Sequence, residues 1–255
     1  MKADKPPSAP RFLVPGPLAA GQAVELPERV ARHIGVLRLR AGDPLTLFTG
    51  ENGEFGAELT LAARGSARAR VGAFRAVERE SPLSITLAQC ISSGDRMDLT
   101  LQKATELGVA DFVPLASERC VVRLRDERAG RKRLHWQNVV ASACEQCGRN
   151  RLPAVAEPAD IHAWLAALGR DTAAGPAAGT RLLLAPGADA GMAQLPRAER
   201  VILLVGPEGG LVPAEIDAAL HAGFRAVRLG PRTLRTETAP LAALAALQLL
   251  WGDLN

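Results

Sequence analysis

Tyrosine is missing from this chain of 255 residues, and phenylalanine and tryptophan alone make up its 4% of aromatics. With alanine abundant, this speaks of a GC-rich genome more than of any function. No apolar run reaches the roughly 18 residues that span a bilayer, which excludes a transmembrane helix. Met1 to Pro10 carries charges and prolines but no apolar signal-peptide core, so it reads as a disordered tail and the protein as cytoplasmic. Cysteine is scarce, with Cys90, Cys120, Cys144 and Cys147 only. In the cytosol these stay reduced. Cys144-Glu145-Gln146-Cys147 has CxxC spacing, but no second pair follows and Val139 to Cys147 looks helical, so small buried side chains fit better than a metal site. There is no Gly-Lys-Ser or Gly-Lys-Thr, which excludes a Walker loop, and the glycine-rich stretch near residue 206 is not GxGxxG. Neither sign of charge dominates, the formal net charge being +4.

What is present concentrates in residues 201–251. Val201 to Val205 is a short apolar run of the kind found in buried parallel strands. Gly206-Pro207-Glu208-Gly209-Gly210 breaks it, and its glycines permit a sharp turn and close approach of backbone to a ligand. Pro213 suits the first position of a helix, Glu215 its first turn, and Gly223 its stop. Ala226 to Leu229 reads as a second strand, ended by Gly230-Pro231. A loop bearing Arg232, then Thr233-Leu234-Arg235-Thr236-Glu237-Thr238, leads into a last helix over Ala239 to Trp251. Strand, glycine loop, helix, strand, loop, helix is an α/β unit, and open α/β sheets bind ligands at the carboxyl ends of their strands. The last helix is apolar almost all round, with Gln248 its only polar residue. Such a helix is expected to be buried on every side, by its own domain or by a second subunit.

Upstream, residues 11–75 read as short strands separated by turn signals, with one helix over Pro27 to Val36, together a small β-barrel. Residues 76–82 form a charged linker ending in Pro82. Residues 83–255 make a second domain in which strands near 84, 112, 182, 202 and 227 alternate with helices, so its sheet should be mainly parallel. Gly169 to Gly179 reads as an exposed loop. Positive charge is uneven, since residues 1–75 and 96–151 each hold 11 basic and 7 acidic residues. This suits a polyanionic partner. Arg11, Arg32, His33, Arg38 and Arg40 are candidate RNA contacts on the barrel, joined by Lys103, Arg119 and Arg123 from the second domain.

Four stretches form a joint pattern: GPEGG over Gly206 to Gly210; LG-x-R-x-LRTETA over Leu229-Gly230, Arg232 and Leu234 to Ala239; His33-Ile34 with Val36-Leu37-Arg38; and Gln102 to Val109. Together they resemble the SPOUT-superfamily methyltransferases that methylate N3 of a uridine in bacterial 16S ribosomal RNA, and the resemblance spans about residues 11 to 253. It implies a PUA-like barrel, a SPOUT α/β domain with a trefoil knot, a homodimer built on the knotted region, S-adenosylmethionine (SAM) as methyl donor, and 16S rRNA or the small ribosomal subunit as partner. General rules would not suggest a knot, because knots are very rare. The implied cofactor contacts are Leu204, Val205, Gly206, Gly209 and Gly210 in the first loop region. In the second they are Leu229, Gly230, Arg232, Leu234, Thr236, Thr238 and Ala239, with adenine among apolar side chains such as Leu229 and Leu234. The family's EQ-x-x-R position falls on Gln146 and Arg149, near the implied site, and both are candidate RNA contacts. One departure stands out. The family usually places Ser or Thr just before the helix that follows GPEGG. Here Val212 cannot cap, which predicts a less stable helix end and a looser ligand loop.

Arg235 is the candidate for stabilising negative charge on the substrate base, because guanidinium stays protonated and offers a fork of donors. Glu237 is the candidate base, or the group that orients Arg235. No metal is implied. Two alternatives remain open. A SPOUT ribose 2′-O-methyltransferase would usually carry an early Asn-x-Gly followed by a catalytic Arg, a pattern that Gln102 to Val109 lacks. A non-catalytic dimeric RNA-binding protein would have no need of Arg235, Glu237 and three hydroxyls between a glycine and a buried helix.

Overall fold

The computed structural model describes residues 9–120, 127–170 and 179–254. Most of the expected N-terminal tail, Val121-Val122 with the candidate RNA contact Arg123, and most of the Gly169–Gly179 loop lie outside them. The chain divides into two compact units, residues 1–80 with Cys144–Leu152, and Ser81–Ala143 with Pro153–Asn255.

The first unit holds β1 (Arg11–Leu13), β2 (Ala23–Glu25), α1 (Glu28–Val36), β3 (Pro44–Phe48), β4 (Glu54–Ala63) and β5 (Ser66–Arg75). They form a mixed sheet of order β1-β3-β4-β5-β2, in which only the β1–β3 pair is parallel. Alternation along the strands sends Leu45, Leu47, Leu59, Ala69 and Val71 inward, where Val30, Ala31 and Ile34 of α1 cover them. Arg38 follows α1 with φ +56, a left-handed conformation uncommon outside glycine.

Arg11 departs from expectation. Its side chain is buried, ion-paired with Glu54, and Nη2 donates to Asn150 Oδ1 at 2.6 Å and to the Arg149 carbonyl at 3.2 Å. Its guanidinium also lies over the Phe48 ring at 5.0 Å. Arg75 sits 2.9 Å and Arg79 3.6 Å from the same buried Glu54 carboxylate. Arg11 is therefore an interior cation that neutralises a buried anion, and its enclosed side chain is not presented to RNA. Arg149 is likewise buried, and its Nε and Nη2 hold Glu80 Oε2 at 3.1 and 2.5 Å. Both were expected on an RNA-facing surface. A buried carboxylate needs a nearby cation, and that requirement takes these guanidinia inside.

The second unit contains β6 (Ser84–Cys90), α2 (Asp95–Glu106), β7 (Val109–Ala116), α3 (Glu127–Cys147, its last four residues counted with the first unit), β8 (Ala154–Val155), β9 (Ala159–Asp160), α4 (Ile161–Arg170), β10 (Thr180–Leu184), β11 (Arg200–Val205), α5 (Pro213–His221), β12 (Arg225–Val227) and α6 (Thr238–Trp251). Every ladder is parallel, in the order β12-β10-β11-β6-β7-β8, with β9 also on β7. A parallel sheet covered on both faces explains the unbroken apolar runs of β10 and β11.

Helix α6 packs against α2, but in a single chain it is not buried on every side. Pro240, Ala243, Leu244, Leu247, Gln248 and Trp251 face inward, whereas Leu249 and Leu250 are 58% and 44% exposed. The polar side chain in the body of the helix is thus inside. Gln248 Oε1 accepts from Ser81 Oγ at 2.6 Å, and Nε2 donates to the Leu107 carbonyl at 3.0 Å. The carbonyl at the end of α2 needs a partner there, and Gln248 provides it. Gly108, with φ +82, ends α2 beside it, and a Cβ there would come within 2.6 Å of Gln248 Nε2. Among the described residues no helix is long and apolar enough to cross a membrane.

Candidate active site

Three neighbouring strands, β12, β10 and β11, end side by side, and the chain beyond them encloses a cleft of about 570 Å³. Its walls include Leu184, Val205, Leu211, Ile216, Leu229 and Leu234, and its charged groups are Arg96, Glu208, Arg232, Arg235 and Glu237. Ten of the twelve expected cofactor contacts line it: Val205, Gly206, Gly209, Gly210, Leu229, Gly230, Arg232, Leu234, Thr236 and Ala239. Leu204 and Thr238 do not. Leu204 is fully enclosed in β11, and Thr238 is an exposed residue opening α6.

The glycine loop is braced from four directions. Thr236 Oγ1, itself buried, donates to the Gly206 carbonyl at 3.0 Å and accepts from Gln89 Nε2 at 3.3 Å, which ties the loop before α6 to the loop after β11 and to the end of β6. Arg119 Nη1 donates to the Gly209 carbonyl at 2.9 Å. Glu208 Oε1 accepts from Ser93 N–H at 2.9 Å, Ser93 Oγ at 2.8 Å and Arg96 Nη1 at 2.9 Å. Partial burial alone would raise the Glu208 carboxyl, but these donors outweigh it and hold the group below the usual carboxylate range. Its contribution is complete at neutral pH and is lost as pH falls through that lowered value.

The fourth brace lies at the helix end, where Val212 makes no side-chain cap, as expected. Val212 has no side-chain acceptor, yet Glu215, fully buried, reaches back. Its Oε2 accepts from Val212 N–H at 2.9 Å and its Oε1 from Glu118 N–H at 2.7 Å. This is half of a capping box, with the carboxylate also pinning the loop after β7. Glu215→Ala should therefore destabilise the fold by about 2–4 kcal/mol, because two buried N–H groups lose their acceptor, whereas Glu215→Gln should cost about half that. Denaturant midpoints measure the difference, and equal midpoints for Glu215→Ala and the unaltered protein would remove Glu215 from this role.

Arg235 and Glu237 both line the cleft, but no hydrogen bond or ion pair joins them among the described residues. The Arg235 side chain is exposed and has no such partner there. Glu237 is instead 3.8 Å from Arg96 Nε, and its Oε2 is buried without a hydrogen bond. The cleft thus combines glycine-opened backbone, an apolar chamber, an unengaged guanidinium and a held carboxylate.

A family profile described as an RNA methyltransferase domain matches residues 79–248, and one described as an RNA methyltransferase PUA domain matches residues 26–72. The "Ribosomal RNA small subunit methyltransferase E" of Buchnera aphidicola subsp. Schizaphis graminum is 35% identical over 248 residues, covering 96% of this chain and 98% of that one. This chain belongs to the ribosomal RNA small subunit methyltransferase E family. Its fold is accordingly a PUA-like mixed sheet followed by the all-parallel sheet of a SPOUT methyltransferase, and the protein is an enzyme. Among solved structures, the methyltransferase E of Neisseria gonorrhoeae bound to SAM superposes with a TM-score of 0.86 at 43% identity, covering 97% of this chain and 100% of that one. A Legionella pneumophila structure with bound SAM gives 0.90 at 40%, covering 96% and 99%.

The floor of the cleft was not legible in the sequence. Leu183 to Pro186 lines it because β10 lies between β11 and β12 in the sheet. Nothing near β10 resembles a ligand motif, and strand order is not written in any one segment. Arg96 was missed because it lies 112 residues before Glu208 and farther still from Glu237. Glu215 was legible as the acidic third residue after the helix start.

The remaining RNA candidates divide by exposure. Arg32, His33, Arg38 and Arg40 are exposed on α1 and the turn after it. Lys103 pairs with Glu106 at 2.8 Å, Arg119 is exposed and donates through Nη1 to the Gly209 carbonyl, and Gln146 is exposed. Cys144 is enclosed, and burial pushes its thiol up to about 12. His135 is a surface residue paired with Asp98 at 2.6 Å.

Proposed function

We propose that this protein methylates N3 of a uridine in 16S ribosomal RNA, with SAM as donor, acting as a cytoplasmic homodimer. The observation that carries the reading is an unengaged guanidinium, Arg235, at a cleft whose backbone is opened by Gly210 and Gly230. SAM fits this cleft: a Cβ built on Gly210 or Gly230 would meet nothing within 4 Å, so both positions leave room for a ligand against the backbone. Leu229 and Leu234 offer apolar surface for adenine, and the backbone groups of residues 205–206 and 229–230 offer donors and acceptors for its polar edges. When bound, SAM supplies an electrophilic methyl on a sulfonium.

Uracil N3 is an imide nitrogen that is protonated at neutral pH and a poor nucleophile. Its proton must leave, and the charge that then spreads onto O2 and O4 must be stabilised. Arg235 donates hydrogen bonds to that charge, and Glu237 accepts the proton. N3 also forms a Watson–Crick hydrogen bond, so the target base must be unpaired or flipped out. Arg32, His33, Arg38 and Arg40 contact the RNA backbone and make affinity fall with salt.

Helix α6 supports the dimer. Leu249 and Leu250 with the neighbouring Leu254 leave apolar surface exposed while Gln248, the polar residue in the body of the helix, is inside. Light scattering at micromolar concentration should give twice the mass of the chain, and a monomer would refute the dimer.

The function itself is tested by methyl transfer from labelled SAM to small ribosomal subunits from a strain lacking this gene, followed by nucleoside analysis. Label in 3-methyluridine at one position is expected. Label on a ribose oxygen, or none, would overturn the reading.

A further inference from the structure

We infer that Arg96 is a positioning residue of this site, a single guanidinium that bridges the two ligand loops and thereby keeps Arg235 open for the substrate. The inference rests on the proposed methyl transfer. Arg96 stands near the start of α2, in the segment that follows β6, and lines the cleft. Its Nη1 donates to Glu208 Oε1 at 2.9 Å, on the loop after β11, while Nε lies 3.8 Å from Glu237 Oε2, on the loop before α6. Ser93 backs the first contact, its N–H and hydroxyl meeting the same Glu208 oxygen at 2.9 and 2.8 Å. Two carboxylates on two loops thus meet one cation fixed to a helix of the sheet scaffold.

The alternative pairing shows why this matters. Glu237 is two residues from Arg235, so a Glu237 carboxylate turned away from Arg96 would have Arg235 as the neighbouring cation. An engaged Arg235 would lose donors that the substrate base needs. The geometry of Arg96 suits the task as lysine would not. Guanidinium presents donors in a planar fork along two directions, so one side chain can face both carboxylates, whereas an ammonium is a point charge that follows one. Because Arg96 acts through Glu237 and Glu208, its effect should depend on them.

Arg96→Lys keeps the charge and tests the bridge. In the ligand-free protein, hydrogen exchange should rise together at residues 206–211 and 233–237, with the rest of the second unit unchanged. In the same variant kcat should fall about three- to tenfold, the modest size reflecting partial solvent exposure of the pair. Placed in a Glu237→Gln background, Arg96→Lys should change kcat little further, because the interaction it disturbs is already gone. Unchanged exchange at both loops, or a full and independent loss of kcat in the Glu237→Gln background, would overturn the bridge. SAM titration of the unaltered protein is the separate arm. If it neither binds SAM nor transfers methyl, the functional reading fails, while the exchange experiment still decides whether Arg96 joins the loops.

Discussion

Arg235→Ala is expected to lose methyl transfer by about 10²–10³-fold in kcat while SAM affinity stays within about threefold of the unaltered protein. The split follows from where the side chain stands. Arg235 is exposed at the cleft and has no hydrogen-bond or ion-pair partner among the described residues. Its removal leaves no buried group unpaired, so folding stability should change by no more than about 0.5 kcal/mol. The cofactor chamber is built from backbone and leucines, which the substitution does not touch. What disappears is a charge aimed at O2 or O4 of a deprotonating uracil, an interaction made chiefly in the transition state. Arg235→Lys should recover only part of the loss, because an ammonium supplies charge without the fork. Single-turnover transfer and calorimetry measure the two quantities separately. Full turnover in Arg235→Ala would end its catalytic assignment, and a parallel collapse of SAM affinity would move it into the cofactor site.

Gly230→Val is expected to weaken SAM binding beyond detection, at least about 10²-fold, with the protein still folded. Gly230 has φ +73, and a Cβ built there would meet no atom within 4 Å. The folded chain therefore has room for a side chain, and the proposed placement gives that room to SAM. Two effects combine: a β-branched residue is strained at positive φ, and its methyls would occupy the cleft. Gly230→Ala separates them. It carries most of the backbone strain, about 1–2 kcal/mol, but intrudes by a single methyl. Calorimetry should then place alanine between glycine and valine. Equal losses for the two would make strain the cause rather than intrusion, and unchanged affinity in Gly230→Val would place SAM elsewhere.

Much of the site was legible because its chemistry is local. Gly206 to Gly210 and Leu229 to Ala239 are continuous stretches in which a strand end, a backbone opening and a charged group follow one another, and ten of twelve expected contacts line one cleft. The exceptions are also local: β11 encloses Leu204, and Thr238 is the exposed first residue of α6. Less could be read where a residue's role depends on what meets it from elsewhere. Arg11 and Arg149 look like surface cations in a basic sequence, but Glu54 and Glu80 draw them inside. Gln248, the apparent flaw in an apolar helix, is its most enclosed polar group, because the Leu107 carbonyl needs a donor.

By itself, then, the order of residues determined the periodicities: alternating strands and one amphipathic helix in the first unit, apolar parallel strands between helices in the second, and two loops opened by glycine. These follow from backbone sterics and side-chain spacing, which act over a few residues. Only the tertiary structure decided that β10 would lie between β11 and β12 and floor the cleft, that Glu215 would cap α5 in place of Val212, and that Arg96 rather than Arg235 would meet Glu237. Each of these is a pairing between distant segments. Each is decided by burial, because once a strand or carboxylate is out of water it must be paired, and only the packed chain determines which partner is within reach.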